Sequence, residues 1–564
     1  MRRLRRTLVI TTAAVLAAVV LYLGLTLPPA TVPLPAAPAA TIYGALHIHT
    51  NRSDGSGSLG DVAGAASQAA LQFVIVTDHG DATRPPEAPQ YLQGVLVIDA
   101  VEITTISGHL LAMGLQRESP YPLGGEARDT LEDIQRMGGW AVAAHPDSPH
   151  EGLRWRNDEV PVDGLEWLNA DSEWRDEGSG RLLLTLGHYF FRPSESIASI
   201  FSRPTASLRR WDEIAKRRNV VGLAGVDAHA KLAIREDAAT RQSRTILARP
   251  SYRDMFRTVV QAVGLPEPLT GDAPRDAAAI LAAIRMGRTY SVVNAIAAPG
   301  VVAFSATDGN RTAEMGESLE GGGDVTIRAS APSPAGAAVV IIRDGQEVAT
   351  GRGSASFKTA GVPATYRAEV RLPGAAVPWI VTNSIRVGPL PANAPLLPAP
   401  LRIVRPLDNA AAWSAEKHAT SQNEVRPDGQ NGGEVAMTFR LGDGPLNGQY
   451  AAMAYPLEGQ DNFTTITATL RASAPMRISV QVRQPSGVDG ERWHRSVYID
   501  ETPREVTLAL QDFHLGEVVT DRKPTPAQVR SVLFVIDTWH TKPGTAGTVW
   551  ASGVSLGGPV KSER

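Results

Sequence analysis

The sequence predicts an α/β unit followed by two all-β sandwiches. Three observations carry this reading. Between residues 41 and 294 short apolar runs alternate with amphipathic segments. Strands alternating with helices imply a mostly parallel sheet, open or closed into a barrel. From 295 onward residues alternate polar and apolar between Gly, Pro, Asn and Asp signals, the pattern of antiparallel sandwiches. A Pro-rich stretch at 389–406 then reads as a linker that splits this second half.

Composition narrows the function classes. The chain has 564 residues, 43% hydrophobic and 20% charged, which is globular and too long for one ordinary domain. A formal net charge of -3 argues against a broad nucleic-acid surface. The absence of cysteine excludes disulfides, thiolate metal sites and a Cys nucleophile.

The first 40 residues form an N-terminal segment of their own. Arg2, Arg3, Arg5 and Arg6 precede an uncharged stretch at 8–27. Its 20 residues suffice, at ~1.5 Å each, to cross ~30 Å of hydrocarbon. The arginines stay cytoplasmic by the positive-inside rule, so the stretch reads as a signal anchor. The cytoplasmic membrane is then a partner, and the rest of the chain is periplasmic or extracellular. A cleavable signal peptide is the rival, with Ala37-Pro38-Ala39 as its cleavage site, and would make the protein secreted. Residues 28–40, rich in Pro and Ala, read as a stiff tether.

Within 41–294 the strand candidates are 42–49, 73–77, 95–103, 109–115, 140–145, 164–169 and 220–226. Helical stretches lie at 59–71, 127–137 and 208–218, and Asp61 suits the first turn of the first of them. Active sites in such folds sit at the carboxyl ends of the strands. Candidate ligands fall there. His47 and His49 end the first run, two apart, so that a strand would point both imidazoles to one face. Asp54 follows in a Gly- and Ser-rich turn. Asp78 and His79 end the second run, Glu102 lies near the end of the third, and His109 opens the fourth. His145 ends the fifth, and Asp227 and His229 end the last. Six of the 12 histidines occupy these positions, and scatter over helices and loops would not place them so. Imidazole and carboxylate donors gathered at one end of a sheet point to divalent metal.

The motifs HxHTxxSDG, TDHG, an E followed by GHLL, AHP and DAH occur in that order. Together they resemble the PHP (polymerase and histidinol phosphatase) family, and residues 280–294 resemble the domain end of its long exported, CehA-like members. The resemblance implies a distorted β/α barrel with two or three divalent ions (Zn, Mn or Fe) at its mouth. The ligands it implies are His47, His49, Asp54, His79, Glu102, His109, His145, Asp227 and His229. Asp54 stands where some members have a His. Glu102 is the expected bridging carboxylate. A metal-activated hydroxide would attack phosphorus in line, which makes a phosphoesterase the leading expectation. The same hydroxide can attack a carbonyl, so a carbamate, amide or carboxylic ester hydrolase is the alternative, and a non-catalytic envelope glycan-binding protein is the third.

Asp78 is read either as general acid or ligand-orienting group, or as a turn cap. Arg52, Arg241 and Arg244 are the candidate phosphate-neutralising groups. Trp167, Asn169, Asp171 and Trp174 at the end of a strand suit a substrate wall or core packing, and 178–204 suits a lid or side wall. Residues 55–60 match GxGxxG but read as a turn that lets backbone approach the ligands. A GxSxG match at 553–557 has no helix after it. Residues 295–388 read as a small β-sandwich. Residues 407–564 loosely resemble galactose-binding-like, carbohydrate-module jelly rolls, in which Trp413, Trp493, Trp539 and Trp550 either stack on sugar or fill the core. The expected substrate is a small molecule or glycan-linked.

Overall fold

A computed structural model describes residues 2–36, 38, 40–235, 243–247, 249–391, 401–428, 433–444, 448–459, 461–486, 490–516 and 522–559. The N-terminal stretch forms α1 (Arg2–Thr26). Its apolar side chains from Ile10 to Leu25 stand largely in solvent. Among the described residues no helix is long and apolar enough to cross a membrane. Leu8 and Val9, and Arg2, Arg3, Arg5 and Arg6, on which the signal-anchor reading also draws, have side chains outside the described set.

The α/β unit is built on two sheets. In the first, β1 (Thr41–Leu46) lies parallel to β2 (Phe73–Val76), and β2 parallel to β3 (Val95–Asp99). The second contains β4 (Val101–Thr105), β5 (Gly108–Met113), β6 (Trp140–Ala143), β7 (Gly164–Asn169) and β8 (Val221–Gly225). There β6, β7 and β8 run parallel while β4 and β5 are antiparallel. On the far side of β1 lie β9 (Val260–Gly264), antiparallel to β1, and β10 (Thr289–Val292), antiparallel to β9. The sheets are therefore mixed, where the alternation of strands and helices predicts a mostly parallel one. The apolar run 95–103 becomes two strands because the chain passes from one sheet into the other at Ala100.

Helices cover the outer faces. α2 (Leu59–Gln68) starts in a capping box, in which Ser58 accepts from the backbone of Asp61 and the Asp61 carboxylate accepts from Ser58. α3 (Ala127–Arg136) follows β5. After β7 come α4 (Ala170–Asp176), α5 (Ser179–Tyr189), α6 (Pro193–Ala198) and α7 (Thr205–Arg217). α8 (Tyr252–Phe256) precedes β9, and α9 (Ala273–Arg285) joins β9 to β10.

The first sheet does not stop at residue 294. β10 pairs with β11 (Ile380–Thr382), and residues 295–388 share one continuous core with the α/β unit. The last unit is a two-sheet sandwich with its own core. It opens with a strand at Leu401–Pro406, inside the stretch read as linker, and residues 392–400 of that stretch lie outside the described set. The GxSxG match falls inside the strand Ala546–Pro559.

Candidate metal centre

The ligand positions begin where β1 ends. His47 has φ 66°, so the strand stops at Leu46 and the chain turns left-handed at the first ligand. His145 (φ 32°) and Asp227 (φ 46°) do the same after β6 and β8. Non-glycine residues rarely adopt positive φ, and where they do the surrounding structure must hold them. At His47 and Asp227 reciprocal bonds hold the turns: the His49 amide donates to Ala228 O (3.0 Å) and the Ala228 amide to His47 O (3.1 Å). The two imidazoles of HxH thus converge, 5.3 Å between ring centres, through a left-handed turn and not through strand pleating. Gly55 permits the loop to close, because a Cβ there would lie 2.1 Å from His49 O.

Glu102 stands at the centre. Its Oε1 lies 2.7 Å from His109 Nδ1 and 2.9 Å from His145 Nε2. Its Oε2 lies 3.2 Å from Nε2 of both His47 and His49 and 3.4 Å from His79 Nδ1. Asp227 Oδ1 is 3.2 Å from His49 Nε2 and 3.5 Å from His47 Nε2. Asp54 closes the ring, 3.1 Å from His229 Nε2 and 3.5 Å from His49 Nδ1. All nine predicted ligands are thereby brought together. The donors fall into overlapping groups whose atoms lie within 4.8 Å of one another, as a centre for several ions requires. His47, His49 and Glu102 are fully buried, whereas Asp54 (47%) and His79 (36%) keep exposed side chains. The centre is open on the Asp54–His79 side.

Electrostatics and unmet bonding both mark the cluster. Burial lowers the His49 pKa, but the Asp227 and Glu102 carboxylates more than offset this and push it up to about 10. Burial likewise works against charge on His47, yet Asp227, Glu166 and Glu102 raise it well above its ordinary value. Glu102 and Asp227 are held well below the carboxylate range by the imidazoles, despite burial. His79 is lowered, chiefly by burial. Neither ring nitrogen of His49 makes a hydrogen bond, although Nε2 lies 3.2 Å from both Glu102 and Asp227, and Asp227 Oδ1 is likewise unpartnered. Buried polar atoms left without partners are costly, so this donor set fits cations placed between imidazole nitrogens and carboxylate oxygens.

A further set of residues orients the ligands. Glu166 is fully buried and was not singled out from the sequence. Its Oε1 accepts from His47 Nδ1 (2.7 Å), and its Oε2 from the His145 amide (2.8 Å) and Asn169 Nδ2 (2.9 Å). A carboxylate can only accept here, so His47 carries its proton on Nδ1 and presents Nε2 to the cluster. His145 Nδ1 similarly donates to Leu153 O (3.0 Å). The available signal was a glutamate inside the apolar run GLEWLN, since a buried charge needs partners. Asn169 joins the site, 3.2 Å from Asp227 Oδ2, while Trp167 is core and bonds Ser291. Arg175, paired with Asp171, is a guanidinium whose charge reaches Asp227 and Asp54.

Asp78 accepts from the Thr50 amide (2.7 Å), Thr50 Oγ1 (2.6 Å) and Ser53 Oγ (2.6 Å), so it pins the HxHT loop. Arg52 donates to Glu87 (2.7 Å) and approaches Asp99 (3.4 Å). It lines a cavity of about 380 Å³ beside His79 with Arg84, Asp99 and Leu115. Arg241, and the side chain of Arg244, lie outside the described residues. In the last sandwich Trp413 and Trp493 are core, Trp550 bonds Asp428, and Trp539 borders a cleft of about 280 Å³ with Tyr450, Gln481, Arg492 and His494.

Comparison with known proteins adds a relative. The uncharacterized protein MJ1587 of Methanocaldococcus jannaschii is 30% identical over 139 residues, covering 22% of this chain and 80% of the relative. The chain belongs to that protein's family. No family model matches the chain. Among solved structures, a family 11 carbohydrate-binding module from Clostridium thermocellum in complex with a mixed-linked tetrasaccharide is 15% identical. It covers 28% of this chain and 96% of the module, with a TM-score of 0.22. The N-terminal cellulose-binding domain of Cellulomonas fimi β-1,4-glucanase C is 16% identical over 28% of this chain and 94% of the domain, with a TM-score of 0.19.

Proposed function

We propose that this protein is a divalent-metal-dependent hydrolase of the PHP type, a phosphoesterase in the first instance. The observation that carries the reading is Glu102, whose two oxygens approach five imidazoles from the ends of different strands. A carboxylate so placed suits a bridging role between ions. The two sheets meet at this end through the Ile48–Ala228 and His79–Glu102 bridges, which supports a distorted barrel with the site at its mouth. Divalent ions held there would supply Lewis-acid activation of a water and of a substrate oxygen. The chain's own residues do the rest. Glu166 and Leu153 O fix the tautomers of His47 and His145 so that Nε2 faces inward. Asp78 holds the HxHT loop, and substrate enters past Asp54 and His79.

A second reading, cleavage of a carboxylic ester, amide or carbamate, is favoured by one observation. Arg52 and Arg84, which line the cavity beside His79, already have carboxylate partners in Glu87 and Asp99. Their charge is largely satisfied before a phosphate arrives. The glycan-binding reading rests on the Tyr450–Trp539 cleft. For location, the exposed apolar side chains of α1 support a signal anchor with the catalytic part outside the cytoplasm.

Metal content of the purified protein, followed by hydrolysis of p-nitrophenyl phosphate, bis-p-nitrophenyl phosphate and p-nitrophenyl acetate, tests the proposal. Bound metal and phosphoester cleavage, lost in His47→Ala, are expected. Ester cleavage alone selects the second reading, and no metal uptake with no activity refutes both.

A further inference from the structure

Four large apolar side chains stand in solvent along α5 and the turn after it. Leu183, Leu184, Phe190 and Phe191 are 70%, 39%, 80% and 58% exposed. The same segment turns its polar side inward, where Thr185, His188 and Tyr189 are buried. Such inversion needs a cause, because a contiguous exposed apolar patch marks a surface that meets something.

What it meets is indicated by its neighbour. The segment that carries the patch packs against the end of α1. Thr26 Oγ1 is 2.9 Å from His188 Nε2, and the Tyr22 and His188 rings are 6.3 Å apart. Arg192 donates to Pro28 O, and Thr31 Oγ1 donates to Glu195 (3.1 Å). α1 itself exposes Ile10, Val15, Leu16, Val20 and Leu21, each more than half accessible. Two exposed apolar surfaces therefore lie on segments that touch each other, one long and helical, one short and aromatic at its tip.

The patch is also tied to the metal centre. The Tyr189 hydroxyl bonds Asp254 and accepts from the Ser251 amide (3.1 Å), both at α8. From α8, the Tyr252 hydroxyl donates to His49 O (2.7 Å). α4, which leads into α5, starts at Asn169 beside Asp227.

We propose that Leu183, Leu184, Phe190 and Phe191 insert into the lipid surface from which α1 emerges, and so hold the metal centre close to the membrane. The inference rests on the reading of α1 as a signal anchor. Leu and Phe on the apolar face of an interfacial helix bury into the boundary between headgroups and acyl chains, with the polar face kept out of the lipid. Residues 26–33 are docked on the catalytic part, and a second lipid contact beside the anchor fixes its tilt on the membrane.

The chain has no cysteine, so single-cysteine variants take one label. Val19→Cys, Leu183→Cys, Phe190→Cys and Thr502→Cys, each in the full chain, are labelled with nitrobenzoxadiazole. They are reconstituted in phosphatidylethanolamine–phosphatidylglycerol vesicles containing doxyl lipid. Loss of fluorescence at 19, 183 and 190, with none at 502, is expected. Quenching at 19 but not at 183 or 190 overturns the inference and leaves the anchor standing. No quenching at 19 removes the anchor, and the inference with it. Unquenched labels together with cross-linking between copies through Phe190→Cys would assign the patch to a second copy and also overturn it.

Discussion

Glu166→Gln isolates the contribution of ligand orientation. Three donors point at the Glu166 carboxylate: His47 Nδ1, the His145 amide and Asn169 Nδ2. Glutamine has nearly the same shape but offers one NH₂ in place of an acceptor oxygen. If that group faces His47, the ring must accept at Nδ1 and carry its proton on Nε2. The proton then occupies the position 3.2 Å from Glu102 where a lone pair is needed. If it faces the His145 amide, two donors meet in a fully buried site. Replacing such an orienting partner costs about 10–100-fold in metal affinity, or about 1.4–2.7 kcal/mol. Competition with a fluorescent chelator measures the affinity directly, with thermal unfolding of the apo protein as the control for folding. An affinity equal to that of the native protein, in a folded variant, would refute the orienting role assigned to Glu166.

Three other outcomes follow from the same physical reasoning. Gly55→Ala forces backbone away from His49 O, which a Cβ would approach to 2.1 Å, and should lower metal uptake while leaving the last sandwich unaffected. Metal analysis and unfolding of the purified variant check this. Arg477, buried at 2%, bonds Asp133 (2.7 Å), Asp129 O (2.8 Å) and Glu132 (3.1 Å) of α3 from the last sandwich. Arg477→Ala takes the buried guanidinium from Asp133, which keeps the Tyr121 hydroxyl (2.9 Å) and a 3.6 Å approach of Arg136, and should cost roughly 1–3 kcal/mol in denaturant unfolding; an unchanged midpoint would mean the units are not energetically joined there. The third outcome concerns acid. Burial, then nearby positive charge, lowers His494 to about 4 and His540 to about 3, so both are neutral when folded. Below pH 6.5 the unfolded chain binds their protons and the folded one does not, so stability falls as pH drops. Asp537, raised by burial to about 6, opposes this between its two pKa values. From pH 7 to 5 the two histidines cost about 4 kcal/mol and Asp537 returns about 1, a net loss of roughly 2–3 kcal/mol. Thermal unfolding at the two pH values should show this, and His540→Asn should reduce the difference.

The unequal legibility of the site has a chemical explanation. Metal ligation restricts residue type severely, so histidines and carboxylates at strand ends stand out against the apolar runs before them, and nine positions could be named together. Orientation restricts type far less. Glu166 and Asn169 sit on one strand end, and although the apolar run around Glu166 marks it as buried, nothing local says that its partner is His47. The fold was legible to the same degree and for a related reason. Periodicity locates β1, β2 and β7 to within a few residues. It is silent on sheet membership, so the run 95–103 concealed the passage between sheets at Ala100. It is silent also on backbone handedness. A strand reading of HxH places both rings on one face, and the rings do converge, but through a positive φ at His47 matched by others at His145 and Asp227. This difference bears on how the centre is held. Pleating would set the rings by strand geometry alone. A left-handed turn needs the reciprocal His49–Ala228 and Ala228–His47 hydrogen bonds to keep it. The first and last ligand motifs therefore support each other's backbone, and ligand loss at one end of the chain should be felt as misplacement at the other.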